Sequence, residues 1–274
     1  MTKASVRNAA NTAWEPISFD SGAIPDRVKG LTTGLVFKSI CGVSSPPATP
    51  RYIRDVTNSV WLPLDEVITA VAPVSIGFAN NTRNSNSARI YPAAGAQVGD
   101  LIVAGVALRT VNPCTWTPSG DMQLLWNYNS NNLNSQPAIA AVVHTGATYY
   151  SLGCNNFGNL TTFAQTIRGQ GDINNIVVGQ QDFSFASTRL VRSQNAPVKS
   201  LVLGIVIDSD ISGAPYSDLS GNLTVAGEFN APSSNTDMMI ANYVSDSGGA
   251  TGDSTFNALA SSWYASQSIG VPPA

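Results

Sequence analysis

Charge is what this chain has least of. Lys, Arg, Asp and Glu make up 11% of its 274 residues, less than half the usual share. Glutamate occurs only as Glu15, Glu66 and Glu228, and lysine only as Lys3, Lys29, Lys38 and Lys199. Helix surfaces normally draw on those side chains, which lose little rotamer freedom in a helix, so the composition argues against an all-helical protein. The bases form no cluster and the net charge is −3. A nucleic-acid partner, which needs many phosphate-neutralising cations, is therefore not expected. No run approaches the ~20 apolar residues of a membrane-spanning helix. Met1-Thr2-Lys3-Ala4-Ser5 opens no signal-peptide apolar region, so synthesis in a cytosol is expected. Cys41, Cys114 and Cys154 are an odd set without C-x-x-C spacing, which suits neither a disulfide framework nor a zinc site. They read as buried thiols, with a Cys114–Cys154 bridge as the alternative.

Polarity comes instead from Asn, Ser, Thr, Gln and Gly, residues that favour turns and strand edges. The strongest pattern is a recurrence. Val98-Gly99-Asp100-Leu101-Ile102-Val103-Ala104-Gly105-Val106 is echoed one hundred residues later by Val198-Lys199-Ser200-Leu201-Val202-Leu203-Gly204-Ile205-Val206. Each apolar run is too short for a membrane span and reads as a strand buried on both faces. Either any two buried strands look alike, or the two are equivalent strands in two halves of a sandwich or in two stacked β units.

Further strands are expected at 74–78, 88–91, 122–128, 138–144, 149–152, 163–167, 176–178, 182–186, 222–228, 238–243 and 263–269, with long polar loops at 80–87, 127–136 and 209–221. Phe256, Leu259, Ala260 and Trp263 stand at helical spacing and predict a short helix before the last strand. Residues 1–75 differ from the rest. They begin with an irregular extended arm and contain a β-like piece at 35–40, a Pro-rich link at 44–50, and a hairpin turning over 55–59. The fold class is all-β: a small N-terminal β-hairpin region with its arm over 1–75, then an antiparallel β-sandwich of jelly-roll kind over 76–274.

The catalytic inventory is thin. His144 is the only histidine and ends an apolar strand, where a structural role outweighs that of a general base. No G-x-S-x-G elbow precedes a helix. Asp208-Ser209-Asp210-Ile211-Ser212-Gly213 matches the first half of an EF-type loop, but Leu219 stands where a bidentate carboxylate is required, so it reads as a polar hairpin loop. No catalytic residue, metal ligand or cofactor is assigned. Sugar binding suits the composition better, because sugars are held by aromatic faces and planar polar groups. Trp116, Trp126, Tyr128, Tyr149 and Tyr150 are the candidate glycan-contacting residues.

Val98 to Ala104, followed by Thr115-Trp116-Thr117-Pro118-Ser119-Gly120-Asp121-Met122-Gln123-Leu124-Leu125, resembles a module of tailed-bacteriophage appendage proteins. There a "GDLLV" strand is followed by a "PSGWTLL"-like turn and strand. This chain departs from the pattern, since Asp121-Met122 stands where the module carries its Trp and the Trp lies earlier, at 116. Tyr52-Ile53-Arg54-Asp55-Val56-Thr57-Asn58-Ser59-Val60-Trp61 is similar to hairpins that connect phage fibres to the virion. The resemblance implies a non-enzymatic virion structural protein, a tail-fibre or appendage subunit assembled in the host cytoplasm. Its N-terminal region would attach to the particle, with Trp14, Tyr52 and Trp61 as the attachment residues. Its partners would be other tail or capsid proteins, copies of itself in a trimer, and a host surface polysaccharide, with no membrane insertion. The alternative is a capsid decoration or cement protein clamping shell subunits.

Overall fold

The computed structural model describes residues 5–7, 14–16, 52–55, 60–63, 70–129, 134–209 and 215–274, the first four segments by their backbone alone. The chain divides into two compact units, Met1–Thr69 and Ala70–Ala274. In the first, β1 (Ser5–Arg7) pairs with β2 (Trp14–Pro16), and β3 (Tyr52–Asp55) with β4 (Val60–Pro63), both antiparallel. The expected hairpin is present, with Asp55 opposite Val60. The first residues, read as an irregular arm, contain a strand pair instead. The expected strand at 35–40, the Pro-rich link, Cys41, and the side chains of Trp14, Tyr52 and Trp61 lie outside the described residues.

The second unit repeats one sheet plan twice. β5 (Val74–Ile90), β6 (Leu101–Arg109), β7 (Trp116–Pro118), β8 (Gln123–Asn127), β9 (Gln136–Val143) and β10 (Tyr150–Arg168) form a sheet of order β5-β10-β6-β9-β8, with β7 on β10. A short 3-10 turn, Ile173–Asn175, leads on. Then come β11 (Val177–Val191), β12 (Asn195–Ala196), β13 (Ser200–Asp208), β14 (Ser217–Ser220), β15 (Thr224–Ala231), β16 (Thr236–Ser245), β17 (Gly249–Ala250) and β18 (Ser254–Val271). Their sheet has the order β11-β18-β13-β16-β15, with β14 on β18. Every pairing within the two sheets is antiparallel.

The recurrence in the sequence is this duplication. Leu101 lies between Val143 and Ile167, and Leu201 lies between Val244 and Val271. Matching the two registers makes Gly105 equivalent to Ile205 and Phe163 equivalent to Gln267. The central strands are buried on both faces, as their composition predicts. Alternate residues Leu101, Val103 and Ala107 meet Leu201, Leu203, Ile205 and Ile207 in the core between the sheets. The other face of β6, with Ile102, Val106 and Leu108, is covered by Ile90, Trp116, Met122 and Leu152 of its own half. Val202 and Val206 are covered likewise by Val191, Tyr216, Leu223 and Phe256.

That outer cover explains what the periodicity misread. Residues 80–87, expected as a loop, belong to the 17-residue β5. The separate pieces at 149–152 and 163–167 are one 19-residue β10, and those at 176–178 and 182–186 are one strand, β11. The register of β10 on β5 jumps between Gly153 and Gly158, so one end of β10 pairs with β6 and the other with β7 in the outer layer. The short helix predicted before the last strand is the same device in β18, whose register slips between Asn257 and Ser262. Extra residues in one strand shift its two-residue phase, and Phe256 and Trp263 consequently mimic a helical spacing.

Among the buried polar side chains described, one amide stands out because neither of its ends is bonded. Gln165 is fully buried, pairs across to Val103, and neither atom of its amide reaches a partner. Its equivalent in the second half is Ile269, paired with Leu203. Gln165→Leu is therefore expected to stabilise the unit by about 1–3 kcal/mol, the cost of a buried unsatisfied polar group. An upward shift of the urea midpoint with an unchanged slope would show it; a downward shift would mean that the amide is held.

Candidate functional site

The structure separates the five aromatic residues that the sequence nominated. Trp116 on β7 is 5% exposed inside the outer core of the first half, and its indole N–H has no acceptor. Its ring is not at the surface. Tyr150 is half-buried, and its hydroxyl accepts from the Thr145 N–H (2.7 Å) and meets His144 Nδ1 (2.8 Å). Tyr149, the residue before β10, lies 5.8 Å from the Tyr91 ring and under the Arg89 guanidinium at 4.3 Å.

Trp126 and Tyr128 do come together, with three rings that sequence reasoning missed. They stand where β8, an edge of the first sheet, meets β11, an edge of the second. The rings run Trp126, Tyr128, Phe183, Trp263 and Phe185, with successive centroids 6.4, 4.7, 5.0 and 5.5 Å apart. Trp126 Nε1 donates to Gln181 Oε1 at 2.6 Å, and Gln123 Nε2 donates to Asn174 Oδ1 at 2.8 Å, so polar bonds also tie this seam. Offset and tilted stacks of this kind contribute about 0.5–1.5 kcal/mol each beyond burial. The inner rings spend their faces on one another. Phe185, stacked edge-on against Trp263 and 55% exposed, offers the open ring.

The duplication shows that the fold does not demand this row. Counting from the matched registers, Tyr128 corresponds to Phe229, Phe183 to Thr82, Trp263 to Asn159 and Phe185 to Asn84. The rings stacked at the opposite seam among the described residues are Phe78, Phe163 and Phe229, and Gly227, where Trp126 has its ring, lets Phe78 and Phe163 approach to 3.0 Å of its Cβ position. Phe183 and Phe185 alternate with Asp182 and Ser184, which is a legible one-face signal. Trp263 was masked by the helix-like spacing.

Several ionisable groups among the described residues are committed to structure. His144 donates its N–H to Asp100 O (2.7 Å) and accepts from Gly99 N (2.8 Å) through its backbone. Asp100 receives Gln97 N (2.7 Å), Arg168 Nε (2.9 Å) and Arg168 Nη2 (2.8 Å). The Arg168 fork holds the Asp100 carboxyl below its ordinary value of 3.8. Stability from this contact is complete above that value and is lost as the pH falls beneath it. Wild type should therefore lose urea resistance on acidification through 3.8, and Asp100→Asn should flatten that part of the profile. Identical profiles would show that the pair contributes nothing.

Arg189 and Asp208 form an ion pair with both side chains fully buried, at 2.9 Å. Ser262 Oγ donates to Asp208 (2.9 Å), as does Tyr216 Oη, and Arg189 Nη2 donates to Ser262 Oγ (2.6 Å). Burial pushes the Asp208 carboxyl up against the pull of Arg189. With its oxygens filled by protein donors, Asp208 is unsuited to start a cation loop; residues 210–214 lie outside the described set. Cys114 and Cys154 are both free and buried, in one core cluster. Contact with Cys154, then burial, drives the Cys114 thiol far up. Among the described residues no group of three or more His, Cys, Asp or Glu could hold a metal ion, and no helix is long and apolar enough to cross a membrane. Comparison with protein-family models, curated proteins and solved structures finds no match to this chain.

Proposed function

We propose that this chain is a non-enzymatic virion structural subunit of tail-fibre or appendage kind. Residues 1–69 attach it to the particle, and the duplicated sandwich 70–274 serves adhesion to a host-surface glycan or to other tail proteins. The observation that carries this reading is the aromatic row, five rings on one seam of a sandwich whose equivalent seam closes with three. Rings beyond what closure requires, ending in the exposed Phe185, fit a contact surface. The division of the chain at 69/70 supplies a separate unit for attachment, and the phage-like motifs of the sequence name the setting.

Imaging of purified particles labelled at the C-terminus of the chain tests the address. Label on tail appendages in small multiples supports the proposal. Label in hundreds over the shell replaces it with the decoration role, and unlabelled particles end both. For adhesion, Phe185→Ala should cut adsorption of the labelled chain to host envelopes about tenfold, as truncating one hot-spot residue does, at unchanged thermal stability. Undiminished adsorption would remove the row from the contact surface.

A further inference from the structure

The seam equivalent to the aromatic row carries its own feature. The registers place Asn84, Asn159 and Arg109 directly opposite one another on β5, β10 and β6. Side chains in register across neighbouring strands share a face. At about 4.8 Å between strands, the row spans about 10 Å. It lines a surface groove of about 580 Å³ together with Thr110, Val111 and Asn134. Gly158 belongs to the same lining. A Cβ there would stand 2.9 Å from Arg109 O, so only glycine lets β10 lie this close to β6. The corresponding row in the second half is Phe185, Trp263 and Ser209, the last donating its N–H to Trp263 O at 2.9 Å. One structural row has thus diverged into an aromatic end and an amide–guanidinium end.

The guanidinium of this row is open. Arg168, Arg192 and Lys199 hold carboxylates, Arg189 is buried on Asp208, and Arg89 covers Tyr149. Arg109 is exposed and has no hydrogen-bond or ion-pair partner among the described residues. Asn159 gives its amide N–H to Ser233 O (2.8 Å), which orients the side chain and leaves its carbonyl oxygen to accept. Phe157, next to Gly158 in the chain, is 69% exposed and stacks on no other ring among the described residues. Unlike the inner rings of the aromatic row, it has open faces.

We infer that this row is a binding site for an acidic oligosaccharide. The sugar carboxylate takes the Arg109 fork, a planar and bidentate match. Hydroxyl or acetamido groups of the next residue bond Asn84 and Asn159 across a span that fits a disaccharide. The inference extends the adhesion reading to a second site and a chemical class, and it does not rest on the virion address.

Titration calorimetry of the full chain tests it with three probes: a hyaluronan tetrasaccharide, sialyllactose and the neutral chitotetraose. At low ionic strength an acidic probe should bind about tenfold or more tightly than chitotetraose, with the difference shrinking in high salt. The hyaluronan and sialyllactose arms separate a uronate from a sialate ligand. Arg109→Gln should abolish the acidic preference and Asn84→Ala should weaken the acidic probe, both at unchanged melting temperature. No acidic preference, an Arg109→Gln variant that binds like wild type, or no binding by any probe overturns the inference. Envelope adsorption keeps the two sites apart. Loss with Phe185→Ala but not with Arg109→Gln leaves the aromatic row standing and sinks this one; the reverse supports this one alone.

Discussion

Arg189→Met is expected to destabilise the sandwich by about 3–5 kcal/mol, the usual cost of leaving a buried charge without its partner. Asp208 would keep only Ser262 and Tyr216 as donors, in a site where burial already opposes its ionisation. The duplication supplies the control. Asp208 is equivalent to Leu108, a core residue of the first half, so the same plan accepts an aliphatic side chain at this point. Arg189→Met with Asp208→Leu should be more stable than Arg189→Met alone, because the orphaned charge is removed. Urea denaturation of the two variants decides the matter. A double variant no better than the single would place the cost in lost packing around Arg189, not in charge.

Phe163→Ala should cost about 3–5 kcal/mol, whereas Phe185→Ala should stay within about 0.5 kcal/mol of wild type. Both change the same side chain; burial makes the difference. Phe163 is 2% exposed and packs against Phe78 at 5.3 Å and Phe229 at 6.1 Å, so its removal opens a cavity at the seam between the sheets. Phe185 is 55% exposed and touches one ring edge-on. Thermal melts of the two variants, run together, measure the contrast. A comparable loss at both positions would mean that the aromatic row holds the sheets together and is not free for a partner.

Much of the fold was legible because burial on two faces leaves an unmistakable mark. Leu101 to Leu108 and Leu201 to Ile207 contain no charge and no turn residue other than glycine, and such runs fit only interior strands. The hairpin near Asp55 was legible for a different reason, turn residues between two short β-like pieces. The polar centre of β5, Asn80-Asn81-Thr82-Arg83-Asn84-Ser85-Asn86-Ser87, defeated the same logic. It forms a strand at the sheet edge because β10 supplies backbone partners along its length, which side-chain character does not report.

The candidate site was legible only in part. Trp126 and Tyr128 were visible as a pair, but Trp116 in the same stretch faces the core, since strand direction and the outer cover decide which aromatic is seen by solvent. Phe183, Phe185 and Trp263 belong to strands remote in sequence that meet β8 only when the second sheet docks on the first.

By itself the amino-acid order determined an all-β chain and its two wholly buried central strands, whose likeness it showed without deciding that they are equivalent. Each of these depends on local composition, on two-residue alternation or on similarity between segments, all of which are written in one dimension. Docking of one sheet on the other decided where the rings gather, which carboxylate is sealed with Arg189, and how equivalent rows became aromatic on one seam and amide-lined on the other. Those outcomes depend on contacts between residues a hundred positions apart, and no local pattern encodes such a distance.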